Sequence, residues 1–73
     1  MELDAAAGAE RLTPREFDVL RCVARGLDTP QIAEQLSVSP STVRKHLENA
    51  FGRLGVSSRT AAVARVFPDP EIL

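Results

Sequence analysis

The 73-residue chain has no tryptophan, no tyrosine, only three phenylalanines and a single cysteine, Cys22. One cysteine excludes an internal disulfide and a cysteine-rich metal site, and it fits a reducing compartment. No apolar run approaches the roughly 20 residues that span a bilayer. The segment Met1-Glu2-Leu3-Asp4 is acidic and lacks the basic region of a secretory signal peptide. We therefore expect a cytoplasmic protein with no membrane partner.

Alanine, valine and leucine carry most of the apolar content. Alanine and leucine are strong helix formers, and no segment alternates polar and apolar residues with the period of a strand. The composition therefore predicts an all-α fold. The length suffices for one domain with a thin core, so stability depends on close helix packing or on a partner.

The net charge of −1 is unusual for a nucleic-acid-binding protein, but the charges are unevenly distributed. Residues 1–10 carry three acidic residues and no basic one, and residues 68–73 carry two more acids. Residues 11–67 contain all nine lysines and arginines against five acids, a balance of +4. The acidic ends thus conceal a basic central segment.

Capping residues followed by proline predict three helix starts, at Thr13-Pro14, Asp28-Thr29-Pro30 and Ser39-Pro40. Glu16 completes a capping box with Thr13. Glycines at 26 and 55 predict the ends of the first and third helices. A fourth helix is predicted from Arg59 to about Phe67.

The second and third predicted helices are separated only by a short turn around Ser37-Val38, so they must meet at a steep angle. That arrangement is a helix-turn-helix. The sequence therefore predicts a four-helix helix-turn-helix domain over residues 11–68. Residues 1–10 are expected to be a disordered tail or linker, and residues 69–73 a C-terminal tail.

The third helix, about 40–54, has a free face opposite Val43. An ideal helix turns about 100° per residue, which places Ser41, Lys45 and Glu48 on that face. Such a face fits the major groove of DNA, where lysine and arginine donate to guanine and asparagine pairs with adenine. The alternative is a solvated charged face, and Glu48 fits a solvated acid better than a base contact.

Two other side chains have plainer interpretations. His46 is expected to be structural or to face a phosphate rather than to be catalytic. Cys22 is expected to be a partly buried, inert thiol rather than a redox sensor.

The segments LTPRE, VARGL, IAEQLSVSPSTVRKHLENAFGRLGV and SRTAAV occur in this order between Leu12 and Val63. This combination resembles the LuxR-type helix-turn-helix domain, the output module of many bacterial response regulators and quorum-sensing regulators. The resemblance implies that Ser39 opens the recognition helix and that the last helix forms a dimer contact. It also implies that the third helix meets base edges or nearby phosphates.

The expected site residues follow from this face and this resemblance. The predicted DNA-binding residues are Ser39, Ser41, Thr42, Arg44, Lys45, His46, Glu48 and Asn49. The predicted dimerisation residues are Ala61, Ala62, Val63 and Val66. The expected partners are double-stranded DNA, a second copy of the chain that joins through the fourth helix or only on DNA, and RNA polymerase. We expect no catalytic residue, no metal and no cofactor.

The chain departs from the family pattern at three places. Thr29-Pro30 replaces a polar pair that often includes lysine, so a phosphate contact is missing there. Glu48 replaces a basic or neutral residue, which lowers the expected DNA affinity. Arg53 replaces a lysine and keeps its charge.

Two other functions remain open at this point. A sigma-factor-like promoter-reading domain uses a similar helix pair, but the closing segment GRLGVSSRTAAV argues against it. A protein-interaction module that has lost DNA affinity is supported by the low net charge and by Glu48. No receiver or ligand-sensing domain is present, so the sequence is either an excised domain or a protein that acts alone.

Overall fold

The computed structural model describes residues 11–67. They form four helices: α1 (Pro14–Ala24), α2 (Thr29–Leu36), α3 (Pro40–Leu54) and α4 (Arg59–Val66). This part of the chain contains no strand, which confirms the predicted all-α class. The predicted tails at 1–10 and 69–73 lie outside the described residues.

Side chains cap the helix starts as the sequence predicts. The Glu16 backbone N–H donates to Thr13 Oγ1, and the Thr13 backbone N–H donates to Glu16 Oε1, both at 3.1 Å. Asp28 and Gln31 form a second capping box at the start of α2, which sequence analysis did not identify. These reciprocal bonds satisfy backbone donors that a helix start leaves free.

Left-handed residues mark two of the helix ends. Gly55 ends α3 with φ of 71°, and Ser37 ends α2 with φ of 60°. Glycine adopts this conformation without steric cost, whereas serine adopts it only rarely. The predicted role of Gly55 is confirmed, and Ser37 lies in the predicted turn, where it adopts the left-handed conformation that the sequence did not indicate.

The core is built around α3, which packs against each of the other three helices. Buried apolar side chains come from all four helices, and they are Val19, Leu20, Cys22, Ile32, Ala33, Val43, Leu47, Ala50, Leu54, Ala62 and Val66. Cys22 is only 5% exposed, which is deeper than predicted. In the described part of the chain, no helix has the length and apolar character needed to cross a membrane.

Candidate nucleic-acid interface

The turn between α2 and α3 fixes how these two helices meet. Ser37 adopts the left-handed conformation at the end of α2, and the Val38 backbone N–H then donates to the Ala33 carbonyl at 2.9 Å. Ser39 caps α3 immediately afterwards. Ile32 and Ala33 on α2 are buried, as is Val43 on α3. Because Ala33 is small, the two helices can approach closely at this corner.

Helix α3 has one buried face and one exposed face. Val43, Leu47, Ala50 and Leu54 are buried. The exposed side carries the five side chains Ser41, Arg44, Lys45, Glu48 and Asn49. We call these five residues the α3 outer face. It presents two cations, one carboxylate, one amide and one hydroxyl to any ligand.

Three hydroxyl groups cluster at the start of α3. Ser39 Oγ accepts the Thr42 backbone N–H at 3.2 Å and lies 2.9 Å from Thr42 Oγ1. Ser41 Oγ lies 3.1 Å from the same Ser39 oxygen. Two of the predicted DNA-binding residues, Ser39 and Thr42, therefore hold the helix start together.

The remaining predicted residue, His46, lies at the border of the two faces. Its side chain is half-buried, like that of Thr42. It therefore flanks the α3 outer face.

Two ion pairs occur among residues 11–67, and neither involves Arg44 or Lys45. Arg15 pairs with Asp18 on the surface at 3.8 Å. Arg53 Nε lies 3.0 Å from Glu16 Oε1, and the Glu16 side chain is only 2% exposed. The charge of Arg53 is thus used within the fold, whereas those of Arg44 and Lys45 face outward.

Helix α4 corrects part of the predicted dimer surface. Ala62 is fully buried and Val66 is 5% exposed, because both pack into the core of their own chain. Neither residue has surface to offer a second copy. Ala61 and Val63 are half-buried and Ala64 is exposed, so these three are the apolar residues on the outward side of α4, with Ala61 and Val63 on its opposite flanks, about 160° apart.

Sequence reasoning missed one side-chain contact near the helix-turn-helix. Arg59 Nη2 donates to Thr29 Oγ1 at 2.5 Å, which joins the first residue of α4 to the first residue of α2. The two residues are 30 positions apart in the sequence. No local pattern signals such a distant pair. Within the described residues, no group of acidic, histidine and cysteine side chains could hold a metal ion.

The short turn that joins the packed helices α2 and α3, together with the exposed polar face of α3, defines a helix-turn-helix domain. The model of the family described as bacterial regulatory proteins, luxR family, matches residues 10–66. The chain belongs to this family and is a helix-turn-helix DNA-binding domain of the kind found in transcription regulators.

Several named relatives are similar over most of this chain. A probable transcriptional regulatory protein NarL of Mycobacterium tuberculosis is 48% identical over 60 residues, which cover 82% of this chain and 28% of the relative. A nitrate/nitrite response regulator protein homolog of Haemophilus influenzae is 47% identical over 58 residues, covering 80% of this chain and 28% of the relative.

A quorum-sensing-dependent regulator, VjbR of Brucella abortus, is 49% identical over 61 residues, covering 84% of this chain and 24% of the relative. The chain thus spans less than a third of the length of each of these relatives.

Proposed function

We propose that this chain is the output domain of a bacterial transcription regulator and that α3 enters the major groove of its operator. The observation that carries this proposal is the α3 outer face, which is exposed on the side of the helix opposite the core. A helix of this kind fits the width of the major groove. In this proposal the chain binds DNA and uses no catalytic residue and no cofactor.

Individual side chains have different tasks in this proposal. Lys45 points directly away from buried Val43, so it reaches the edges of the bases. Arg44 lies one position nearer the groove wall and holds a phosphate. Asn49 can make a paired contact with adenine. Glu48 is a solvated acid that lowers the affinity by repelling phosphate.

The domain also acts as a dimer in this proposal, through Ala61, Val63 and Ala64 of α4. A two-fold dimer would place two copies of α3 about one DNA turn apart, roughly 34 Å. The operator would then be an inverted repeat. The apolar face is short, so dimerisation occurs on DNA rather than in free solution. RNA polymerase is the partner expected at the promoter, and the cytoplasm is the compartment where the protein meets the chromosome.

A mobility-shift titration of the 73-residue chain at several salt concentrations tests DNA binding. Phosphate contacts release counterions, so the logarithm of affinity should fall with the logarithm of salt with a slope of about −2 or steeper per domain. The duplex should be selected with the wild-type chain from a random pool. An affinity that does not change with salt would instead favour a protein-interaction module.

A further inference from the structure

Arg59 links two helices with different tasks. Helix α2 supports the DNA-reading helix α3, whereas α4 carries the proposed dimer face. Apart from the Arg53–Glu16 ion pair, the Arg59–Thr29 hydrogen bond is the only side-chain polar contact among residues 11–67 that joins positions more than three apart. Both side chains are half-buried, which protects the bond from competing water.

Packing alone does not hold α2 against α4. Helix α1 packs against α2, α3 and α4, and α3 packs against α2 and α4. The pair α2 and α4 is not among the closely packed pairs. The contact between these two helices is slight, and the Arg59–Thr29 hydrogen bond adds a specific connection between the start of α2 and the start of α4.

An arginine at the position of Arg59 does not stabilise its own helix. It is the first residue of α4, and it reaches the first residue of α2. Both helix starts carry positive partial charge, so a cation there is unfavourable by local electrostatics. Because a cation at this position destabilises the helix start, we attribute the arginine at position 59 to its tertiary hydrogen bond with Thr29 rather than to helix formation.

Arg59 also borders the proposed dimer face. A surface cleft of about 230 Å³ between α1 and α4 is lined by Val23, Ala24, Arg59, Thr60 and Val63. Val63 belongs to the exposed apolar face of α4. One side chain thus touches the start of α2 and lies beside the surface where a second copy would dock.

We propose that Arg59 is a positioning residue that fixes the DNA-reading helices relative to the dimer helix. This inference rests on the proposed function. A single half-site requires only a correctly formed α2–α3 unit. An inverted repeat also requires the correct distance between two such units, and that distance depends on how rigidly each unit is attached to α4. Loss of the bond therefore impairs full-site binding more than half-site binding.

The test compares the wild-type chain with Arg59→Met, Thr29→Val and the double variant. Arg59→Met keeps the aliphatic length, and Thr29→Val keeps the shape while removing the hydroxyl acceptor. Arg65→Met is the matched control, because it removes an exposed cation from the same helix. Each protein is titrated with the selected inverted repeat and with its isolated half-site, at a temperature where circular dichroism shows complete folding.

We expect each single variant to reduce the ratio of full-site to half-site affinity by about two- to tenfold, the size of one typical net hydrogen bond. Half-site affinity should stay within about twofold of the wild type, since the α2–α3 unit remains formed. The double variant should be no worse than either single variant, because both remove the same bond. Arg65→Met should leave the ratio unchanged.

Several results would overturn the inference. An unchanged ratio in fully folded Arg59→Met and Thr29→Val would reduce the bond to a fold-stabilising contact. A loss of half-site affinity in Arg59→Met that Thr29→Val does not share would make Arg59 a direct phosphate contact. If the wild-type chain binds the half-site but shows no cooperativity on the inverted repeat, no dimer forms through α4. Arg59 would then have no dimer helix to position. Absence of any salt-dependent binding by the wild type would instead be a failure of the proposed function itself.

Discussion

Glu16 Oε1 accepts a hydrogen bond from the Thr13 backbone N–H and also pairs with Arg53 Nε, at 3.1 and 3.0 Å. A single carboxylate oxygen therefore connects the start of α1 with the last turn of α3. The Glu16 side chain is 2% exposed, whereas that of Arg53 is 45% exposed. Because α3 carries the residues proposed to face DNA, this pair holds the far end of the proposed reading helix against α1.

We expect Arg53→Met to lower the free energy of unfolding by about 1–3 kcal/mol, because it leaves a buried carboxylate without its cation. The matched control is Arg15→Met, which breaks the pair with Asp18 in which both side chains are 46% exposed. That surface pair should contribute less than about 0.5 kcal/mol. Urea unfolding of both variants measures the difference. Equal effects would mean that the buried pair contributes no more than a surface pair.

Local signals predicted most of the fold. The capping residues and prolines at the starts of α1, α2 and α3 act within one helical turn, so they are readable from neighbouring positions. The alternation of faces on α3 likewise follows from helical periodicity. These features were enough to identify the helix-turn-helix and the α3 outer face.

Contacts between distant segments were not predictable in this way. The pairs Glu16–Arg53 and Arg59–Thr29 join residues far apart in the sequence, and nothing local marks them. The absence of local signals for tertiary packing also explains why Ala62 was assigned to the dimer surface of α4. Helical spacing groups Ala62 with its neighbours, but only the packing of α4 shows that Ala62 faces the core of its own chain.

Gly52 and Gly55 should respond in opposite directions to the same substitution. Gly52 lies inside α3, and a Cβ there would meet no atom within 4 Å. Gly52→Ala should therefore raise stability by about 0.5–1 kcal/mol. Gly55 has a φ of +71°, which alanine adopts at a cost, so Gly55→Ala should lower stability by about 1 kcal/mol. Thermal unfolding of both variants tests this, and a destabilised Gly52→Ala would show that α3 requires glycine there.

Arg44 and Lys45 should have different effects on sequence preference. Lys45→Ala should cost about 1–3 kcal/mol on the selected site and relax preference at one base position. Arg44→Ala should weaken binding to all sequences similarly. It should also reduce the slope of log affinity against log salt concentration by about one, the contribution of one phosphate contact. Binding to a panel of single-base variants distinguishes the two effects. Arg21→Ala is the control, an exposed cation on α1. An unchanged preference in Lys45→Ala would contradict the proposed placement of α3.

Deletion of residues 1–10 should tighten DNA binding, because it removes three negative charges and no positive one. The gain should be roughly two- to fivefold at low salt and should vanish at high salt as charges are screened. The 73-residue chain with Glu2→Gln, Asp4→Asn and Glu10→Gln is the matched control for charge. If the neutralised chain binds like the wild type while the deletion binds more tightly, the effect is not electrostatic.

Glutamate substitutions at the neighbouring positions Ala62 and Val63 should distinguish the core of the domain from its proposed dimer face. Ala62 is fully buried, so Ala62→Glu should destabilise or unfold the domain by placing a charge in the core. Val63 is half-buried beside the α1–α4 cleft, so Val63→Glu should leave the domain folded. It should nevertheless remove cooperative binding to the inverted repeat, because two carboxylates would meet at the two-fold contact.

Circular dichroism together with half-site and full-site titrations separates these outcomes. Arg65→Glu supplies a control for added negative charge on α4, since Arg65 is exposed on the flank of the helix opposite Val63. Both glutamate variants would weaken phosphate attraction, but only Val63→Glu should lower the ratio of full-site to half-site affinity. If folded Val63→Glu retains full cooperativity, the second copy does not dock on this face of α4.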